Sequence, residues 1–282
     1  MRLALVQFQW ELRKLFSRKR TYLGFVFFLA FELALFSLIQ RDDARFVIRP
    51  AIERAGYSFE ENFTGPTVAN FVLNYTLSVL GGIYLALVAG DIVSKEVEDG
   101  TMRMVLAHRG SRARVLWLKL MACVVYTAIL CTFIAVSSLA LGLAFEGPGN
   151  LFVVSFDQRS AAAYDFWNGL LVYFFGALPL LTLSMLSLAS AAFMFSCCDV
   201  KPAAATVAAL SIFVCDQLLS EIPFFVSIRH WFLTPRLTSW SCIYTLRVPW
   251  LELWRSYSIL LTFDALAIGF GFWRFSRRDL KP

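Results

Sequence analysis

The chain has 282 residues, of which 59% are hydrophobic and 16% charged, and its mean hydropathy is +0.65. Soluble domains carry about 25% charged residues and about 45–50% apolar ones, so the composition excludes an ordinary soluble domain and indicates a membrane protein. The net charge of +6 is distributed in a way that predicts orientation in a membrane rather than nucleic-acid binding.

Residues 1–20 are predicted to form an amphipathic helix at the membrane surface. Apolar side chains recur at helical spacing, whereas charged ones gather on the opposite side. The apolar set is Leu5, Phe8, Leu12, Leu15 and Phe16, and the charged set is Glu11, Arg13, Lys14, Arg18 and Lys19. No small-residue cleavage site follows the first apolar run, so we expect that run to remain as an anchor. The alternative is a plain basic flank that only sets orientation.

Six apolar segments approach the length of about 20 residues that a membrane-spanning helix requires. They are residues 21–40, 71–90, 115–145, 167–195, 203–219 and 257–275. The third and fourth are longer than a bilayer needs, which indicates tilt or extension beyond the lipid. Pro179 is predicted to kink the fourth segment. The sequence therefore predicts an all-α protein whose residues 1–282 form a single transmembrane domain with six spans.

The distribution of Lys and Arg predicts which ends of the spans share a side. Six lie in residues 1–20, six in 91–119, one in 196–202 and four in the C-terminal tail, whereas the three longer connections on the opposite side hold nine in all. Cytoplasmic loops carry the excess of basic residues. Both termini and the polar segment 91–114 are therefore expected in the cytoplasm.

The connection 220–256 is unusual for a solvated loop, because it combines prolines with many aromatic side chains. Its prolines are Pro223, Pro235 and Pro249, and its aromatics include Phe224, Phe225, Trp231, Phe232, Trp240 and Trp250. We expect an extracytoplasmic segment of short helices that dips into the membrane interface. Non-helical backbone is tolerated at membrane depth only where protein buries it or where it lines a cavity. It would either shape an exit for a substrate or pack as a cap.

Residues 91–114, here called the insert, are strongly polar and lie between two apolar runs. Gly100 is expected to end one helix and Thr101 to cap the next. An apolar stripe at helical spacing follows, made of Met102, Val105 and Leu106. The insert therefore predicts a short helix on the cytoplasmic face that offers an apolar side to a partner. The alternative is a solvated loop whose charges only set orientation.

The insert resembles the segment after the second span of type-2 ABC transporter permeases. The resemblance lies in E-x-E-x-G-T, an apolar stripe, Ser-Arg and then a lysine before the next span, all within residues 96–119. Members of that family usually have six spans, cytoplasmic termini and an amphipathic N-terminal elbow helix. The chain departs from the family at Arg109–Gly110, where members commonly have Pro-Val or a similar pair, so the resemblance does not fix the end of the short helix.

The resemblance implies a coupling helix that sits in a groove of a separate ATP-hydrolysing subunit of an inner-membrane exporter. ATP and Mg would be bound by that partner rather than by this chain, and a second permease chain, identical or related, would complete the transporter. The residues expected to form or position the contact are Glu96, Glu98, Gly100, Thr101, Met102, Val105, Leu106, Arg112 and Lys119. The chain itself lacks the G-x-x-x-x-G-K-[ST] loop that cradles nucleotide phosphates.

Two carboxylic acids lie inside predicted spans, Glu32 in the first and Asp264 in the last. A charge at mid-bilayer costs about 2.5–3.5 kcal/mol on insertion scales, so such residues are functional candidates by default. Each would either face a polar pathway or pair within the bundle.

Catalytic and metal-binding patterns are missing from the sequence. His108 and His230 are predicted on opposite sides of the membrane, and neither H-E-x-x-H nor G-x-S-x-G occurs. We therefore expect a transport subunit rather than an enzyme. Two other classes stay open: an ion-coupled secondary transporter that uses Glu32 and Asp264, and a membrane scaffold that recruits a cytoplasmic partner through the insert.

Overall fold

Six helices of the computed structural model have the length and composition of membrane spans, as the sequence predicts. The structure describes residues 2–41, 49, 52–53, 56–107, 111–155, 160–245 and 247–278. The spans are α2 (Lys19–Ile39), α4 (Gly65–Glu98), α6 (Arg112–Glu146), α7 (Phe166–Cys197), α8 (Pro202–Glu221) and α10 (Trp250–Ser276). The protein is therefore a multi-pass membrane protein.

Shorter elements connect the spans. The short helices are α1 (Arg2–Phe16), α3 (Phe59–Asn62), α5 (Thr101–Ala107) and α9 (Thr234–Leu237). Two strands, β1 (Leu151–Ser155) and β2 (Ser160–Tyr164), pair antiparallel with Leu151 opposite Tyr164. This hairpin lies between the third and fourth spans, where the sequence predicts no strand; the described chain is otherwise helical, as predicted.

Helix α4 is longer than the apolar run that predicts it. It begins at Gly65, with Pro66 in its first turn, where proline fits because the missing N–H has no helical partner anyway. It continues past the apolar run to Glu98, so the first third of the insert is helix rather than loop. Asp91 and Glu96 can be buried in this extension because each forms an ion pair, Asp91 with Arg20 and Glu96 with Lys119.

Helix α7 is irregular just before Pro179, the residue at which the sequence predicts a kink. Residues Val172–Ala177 form a π-helical turn, and the regular helix resumes at Leu178. Proline cannot donate the hydrogen bond that its helix position requires, and a wide turn before it accommodates the lost bond.

Helix α4 lies at the centre of the bundle, packed against α7 and α8, while α7 also packs on α10. Small residues make this close packing possible. A Cβ added at Gly82 would lie 3.2 Å from Leu188 of α7, and one at Gly90 would lie 2.7 Å from Thr206 of α8. Gly82 and Gly90 of α4 therefore serve packing within the chain.

The bundle has two ends of different construction. The insert end carries α1, α5, the turn between α7 and α8, and the end of α10. The hairpin end carries the β-hairpin, which is tied to α4 where Gly65 N–H donates to the Gly147 carbonyl at 3.0 Å. Short helices fill the connection after α8, as predicted: 3₁₀ turns at Pro223–Trp231 and Ser239–Tyr244, with α9 between them.

That connection is anchored by Asp216 near the end of α8. Its carboxylate accepts hydrogen bonds from the backbone N–H groups of Thr234, at 2.6 Å, and Leu233, at 3.2 Å. Trp240 and Tyr244 are buried in the core, whereas Phe224 and Trp231 are exposed. One half of the connection therefore caps the bundle, and the other half projects from it.

Candidate functional site

The insert folds as the end of α4, a sharp turn, and the short helix α5. Gly100 has φ +72°, a conformation that glycine adopts without strain, and it ends α4 as predicted. Thr101 differs from the prediction: α5 begins at Thr101 itself, and its hydroxyl donates to the Glu96 carbonyl at 3.2 Å. Thr101 thus satisfies an acceptor at the end of α4 instead of capping α5 from outside.

At the insert end lies a group of acidic and basic side chains from α1, α2, α4 and α6 and from the turn between α1 and α2. We call it the charge cluster: Glu11, Lys14, Arg18, Arg20, Asp91, Glu96 and Lys119. Lys119 of α6 is fully buried, with 0% of its side chain exposed, and Glu96 of α4 is 3% exposed. The Lys119 ammonium lies 2.6 Å from Glu96 Oε1 and 3.0 Å from Glu11 Oε2. A single buried lysine therefore joins α1, α4 and α6.

Two further ion pairs fasten α1 and the start of α2 to α4. Lys14 pairs with Glu96, and Arg20 pairs with Asp91. Arg18, between them in sequence, has a buried Nη1 without a hydrogen-bond partner in the described part of the chain. Burial, and then the neighbouring charge of Arg20, lower the pKa of the Arg18 guanidinium, while Glu96, Asp91 and Glu11 oppose that shift.

In this cluster, removing one charge costs more free energy than forming the ion pair contributes. A buried ion pair contributes little net stability, but removing one partner leaves an uncompensated buried charge and costs about 3–5 kcal/mol. Lys119 is the sharpest case, because its loss would leave the buried Glu96 carboxylate with Lys14 as its remaining ion-pair partner, and Lys14 is 43% exposed. The cluster therefore specifies one arrangement of α1, α4 and α6 at the insert end.

The residues predicted to dock a partner separate into two groups. Glu96 and Lys119 are buried in the charge cluster, so they position the insert and do not face outward. Met102 is also fully buried, which corrects the expectation of an outward stripe at that position; its side chain packs into the core beneath α5. Val105 is 40% exposed and faces outward, whereas the side chain of Leu106, with His108, Arg109 and Gly110, lies outside the described residues. Glu98 and Gly100 are exposed.

Arg112 lies in a second set of contacts at the same end, here called the C-terminal junction. Its guanidinium donates to the carbonyls of Ser276, at 3.1 Å, and Arg278, at 2.8 Å, at the end of α10. The Arg278 guanidinium in turn donates to the Cys198 carbonyl at 2.9 Å and pairs with Asp199. The start of α6, the end of α10 and the turn after α7 are thereby linked.

The carboxyl groups inside the spans are both buried and both bonded to serines. Glu32 accepts from the Ser138 hydroxyl of α6 at 2.7 Å, and its second oxygen has no hydrogen-bond partner in the described chain. Asp264 accepts from Ser190, at 2.6 Å, and Ser187, at 3.2 Å, both in α7. The sequence leaves two alternatives for each carboxyl group, a polar pathway or a partner within the bundle. In the structure both groups have hydrogen-bond partners within the bundle.

Several residues of this end escape sequence reasoning. Glu11, Lys14 and Arg20 read as a charged face of α1 and its flank, yet they turn inward to Asp91, Glu96 and Lys119. The sequence offers one hint of these contacts. Glu11 is an acidic residue in a basic helix, and the insert carries the carboxylates Asp91 and Glu96, which basic residues of that helix could pair with. Arg278 and Asp199 carry no comparable signal, since their contact joins positions far apart in sequence.

The described residues contain no group of three or more His, Cys, Asp or Glu side chains that could hold a metal ion. Comparisons of the chain with protein-family models, with curated proteins and with solved structures found no match.

Proposed function

We propose that this chain is the permease subunit of an ABC-type exporter in the inner membrane, with both termini in the cytoplasm. A separate P-loop ATPase would bind ATP and Mg and hydrolyse the nucleotide, and a second permease chain would complete the transporter. The sequence resemblance of residues 96–119 motivates the family, and the geometry of the insert end is compatible with it.

The observation that carries the proposal is the combination of an outward-facing short helix with a rigid base. Val105 of α5 faces outward, while Met102 of the same helix is fully buried. Helix α5 follows directly from the end of α4, where Glu96 is paired with Lys119 of α6. A partner that pushes on α5 would therefore move α4 and α6 together rather than bend a loop.

The C-terminal junction extends this path to the rest of the bundle. Because Arg112 and Arg278 connect the start of α6 to α10 and to the turn after α7, a displacement at the insert would reach four of the six spans. ATP can favour one arrangement only through contacts that differ between the two states. The exposed side of α5 is where such contacts would form.

Purification of the chain in mild detergent, followed by mass spectrometry of what co-purifies, tests the proposal. We expect a stoichiometric soluble ATPase, lost in Val105→Asp and retained in Ile222→Asp. The control is matched, because Ile222 is 41% exposed, Val105 is 40% exposed, and Ile222 lies at the hairpin end. Recovery of folded chain alone at several detergent strengths would contradict the proposal, and so would a stable partner without a nucleotide site, the result expected of a scaffold.

One observation favours ion coupling as a second candidate. The unpartnered oxygen of Glu32 lies in a fully buried side chain, a state that a bound proton would make less costly. Transport that follows an imposed ion gradient without ATP, and that is lost in Glu32→Gln, would favour this candidate over the permease.

A further inference from the structure

A large groove opens at the hairpin end of the bundle, far from the insert. Its volume is 1420 Å³, above the roughly 300–1,000 Å³ of ordinary small-molecule sites. Helices α4, α7, α8 and α10 and the connection after α8 form its walls. The groove therefore has room for a ligand larger than a typical metabolite.

One wall of the groove is polar, although it belongs to a membrane span. Asn70, Asn74 and Ser78 of α4 recur every four residues and line it, and the Ser78 hydroxyl donates to Asn74 at 3.3 Å. Asn70 is 8% exposed, and its side-chain oxygen has no hydrogen-bond partner in the described chain. An unpaired buried polar atom is costly, so this wall lacks a polar partner that a ligand could supply.

The deeper part of the groove is apolar. Leu181, Met185 and Leu188 of α7 line it together with Leu253 of α10. Phe71 and Tyr75 flank the polar wall, and they are 36% and 49% exposed. The groove follows α4 from Thr67 to Ser78, about 16 Å of helix. An alkyl chain of that length would lie against the apolar side chains of α7, with the polar residues of α4 beside it.

The rim at the outer end carries the charge. Three arginines (Arg229, Arg236 and Arg255) face two glutamates (Glu221 and Glu252) around the opening, an excess of one positive charge. Arg236 is engaged by the His230 carbonyl and the Ser256 hydroxyl, and Arg229 lies 3.6 Å from Glu221 in an exposed pair. Arg255 is exposed. Guanidinium groups match phosphate oxygens in geometry and charge.

We propose that this groove binds an anionic phospholipid, with its phosphate at Arg229 and Arg255 and an acyl chain along the floor between α4 and α7. The amphipathic order of the groove, charged outside and apolar inside, matches the order of a lipid entering from the membrane. The headgroup hydroxyls of such a lipid can donate to the unpaired side-chain oxygen of Asn70. This binding site does not depend on the proposed function.

The test uses the full chain purified in a neutral maltoside detergent and incubated with phosphatidylglycerol or phosphatidylcholine, with retained lipid counted by native mass spectrometry. We expect phosphatidylglycerol to be retained in preference. The double variant Arg229→Ala/Arg255→Ala should retain it about tenfold less, the loss that follows from removing hydrogen bonds to a charged group. The matched control Arg274→Ala/Arg277→Ala removes two arginines near the insert end, where both are exposed, and should change retention little.

A second variant tests the shape of the groove without changing the charge of its rim. Ser78→Phe adds bulk on an exposed side of α4 without altering the net charge, and it should also reduce retention. Equal retention of both lipids, or equal retention in wild type and both groove variants, would overturn the proposal. Lipid-independent dimers that disappear in Ser78→Phe would assign the groove to a second copy of the chain and overturn it as well. No ATPase enters the assay, so its outcome does not depend on the permease role.

Discussion

The ion pairs at the two ends of the bundle differ in burial. At the insert end, Lys119 is fully buried and shared by two carboxylates from different helices. At the hairpin end, Arg229 and Glu221 form a 3.6 Å pair in which the two side chains are 54% and 62% exposed. Buried pairs fix one geometry, since breaking them is costly, whereas exposed pairs contribute about 0–1 kcal/mol and exchange readily with solvent or ligand.

This difference indicates different tasks. An end that transmits a displacement has to move as one piece, and the charge cluster and C-terminal junction connect α1, α4, α6, α7 and α10 for that purpose under the proposed function. An end that takes up and releases a molecule needs polar groups that can bind it. In the groove, the side-chain oxygen of Asn70 has no hydrogen-bond partner in the described chain, and Arg255 is exposed. The contrast between the ends is therefore measurable residue by residue.

The largest effect is expected for Lys119→Met. The variant leaves Glu96 and Glu11 without their buried cation, and it should lower the free energy of unfolding by about 3–5 kcal/mol, seen as a large drop in the thermal midpoint in detergent. Lys95→Met is the control, since Lys95 is exposed on α4, next in sequence to Glu96. A Lys119→Met midpoint close to that of the control would remove the contrast between the ends.

A double-mutant cycle sharpens this result. Glu96→Gln in the Lys119→Met background removes the buried carboxylate, so the two losses should be less than additive, with a coupling of about 0.5–3 kcal/mol. Strictly additive losses would mean that the two residues do not act together.

A smaller effect is expected at the C-terminal junction. Arg278→Ala removes the hydrogen bond to the Cys198 carbonyl and the pair with Asp199, and should destabilise the chain by about 1–3 kcal/mol. Under the permease proposal, ATP-driven transport should fall while ATPase binding is kept, because α5 is untouched. Arg274→Ala, an exposed neighbour, provides the comparison; equal behaviour of the two variants would show that the junction transmits nothing.

The middle of the bundle should respond weakly to loss of ionisation. Gln in place of Glu32 keeps an acceptor for the Ser138 hydroxyl, and Asn in place of Asp264 keeps one for Ser190. Unfolding free energies should therefore stay within about 1 kcal/mol of wild type, with ATP-driven transport retained. Transport lost in both variants, with the fold and the ATPase complex intact, would instead point to ion coupling.

The smallest effect is expected at the hairpin end. Arg229→Ala breaks an exposed pair and should change the free energy of unfolding by less than about 1 kcal/mol, measured by thermal unfolding beside Lys119→Met. A loss as large as that of Lys119→Met would mean that the two ends are built alike.

Much of the fold can be predicted from local patterns. The six spans follow from apolar runs, and the break at Gly100 follows from glycine between two helical stretches. The burial of Asp91 and Glu96 in the last turns of α4 could not be predicted in the same way, since it depends on Arg20 and Lys119, which lie far away in sequence. The β-hairpin was missed because two five-residue strands resemble a connection when read alone.

The candidate site divides along the same line. Exposure of Val105 and the helical stripe are local properties, yet the burial of Met102 depends on what α5 packs against. The roles of Glu11 and Lys14 depend on Glu96 and Lys119, 82 to 108 residues away. Charge pairing between distant helices is therefore the part of this site that a single sequence leaves undetermined.

The most direct test of the central claim is site-specific photo-crosslinking in cells, with a photoreactive amino acid at Val105 and, for comparison, at Tyr75 in the groove wall. We expect the Val105 probe to join the chain to a soluble nucleotide-binding protein and the Tyr75 probe to yield no such product. Crosslinking of Val105 to lipid alone, or the same protein captured from both positions, would contradict the assignment of α5 as the surface that meets an ATPase.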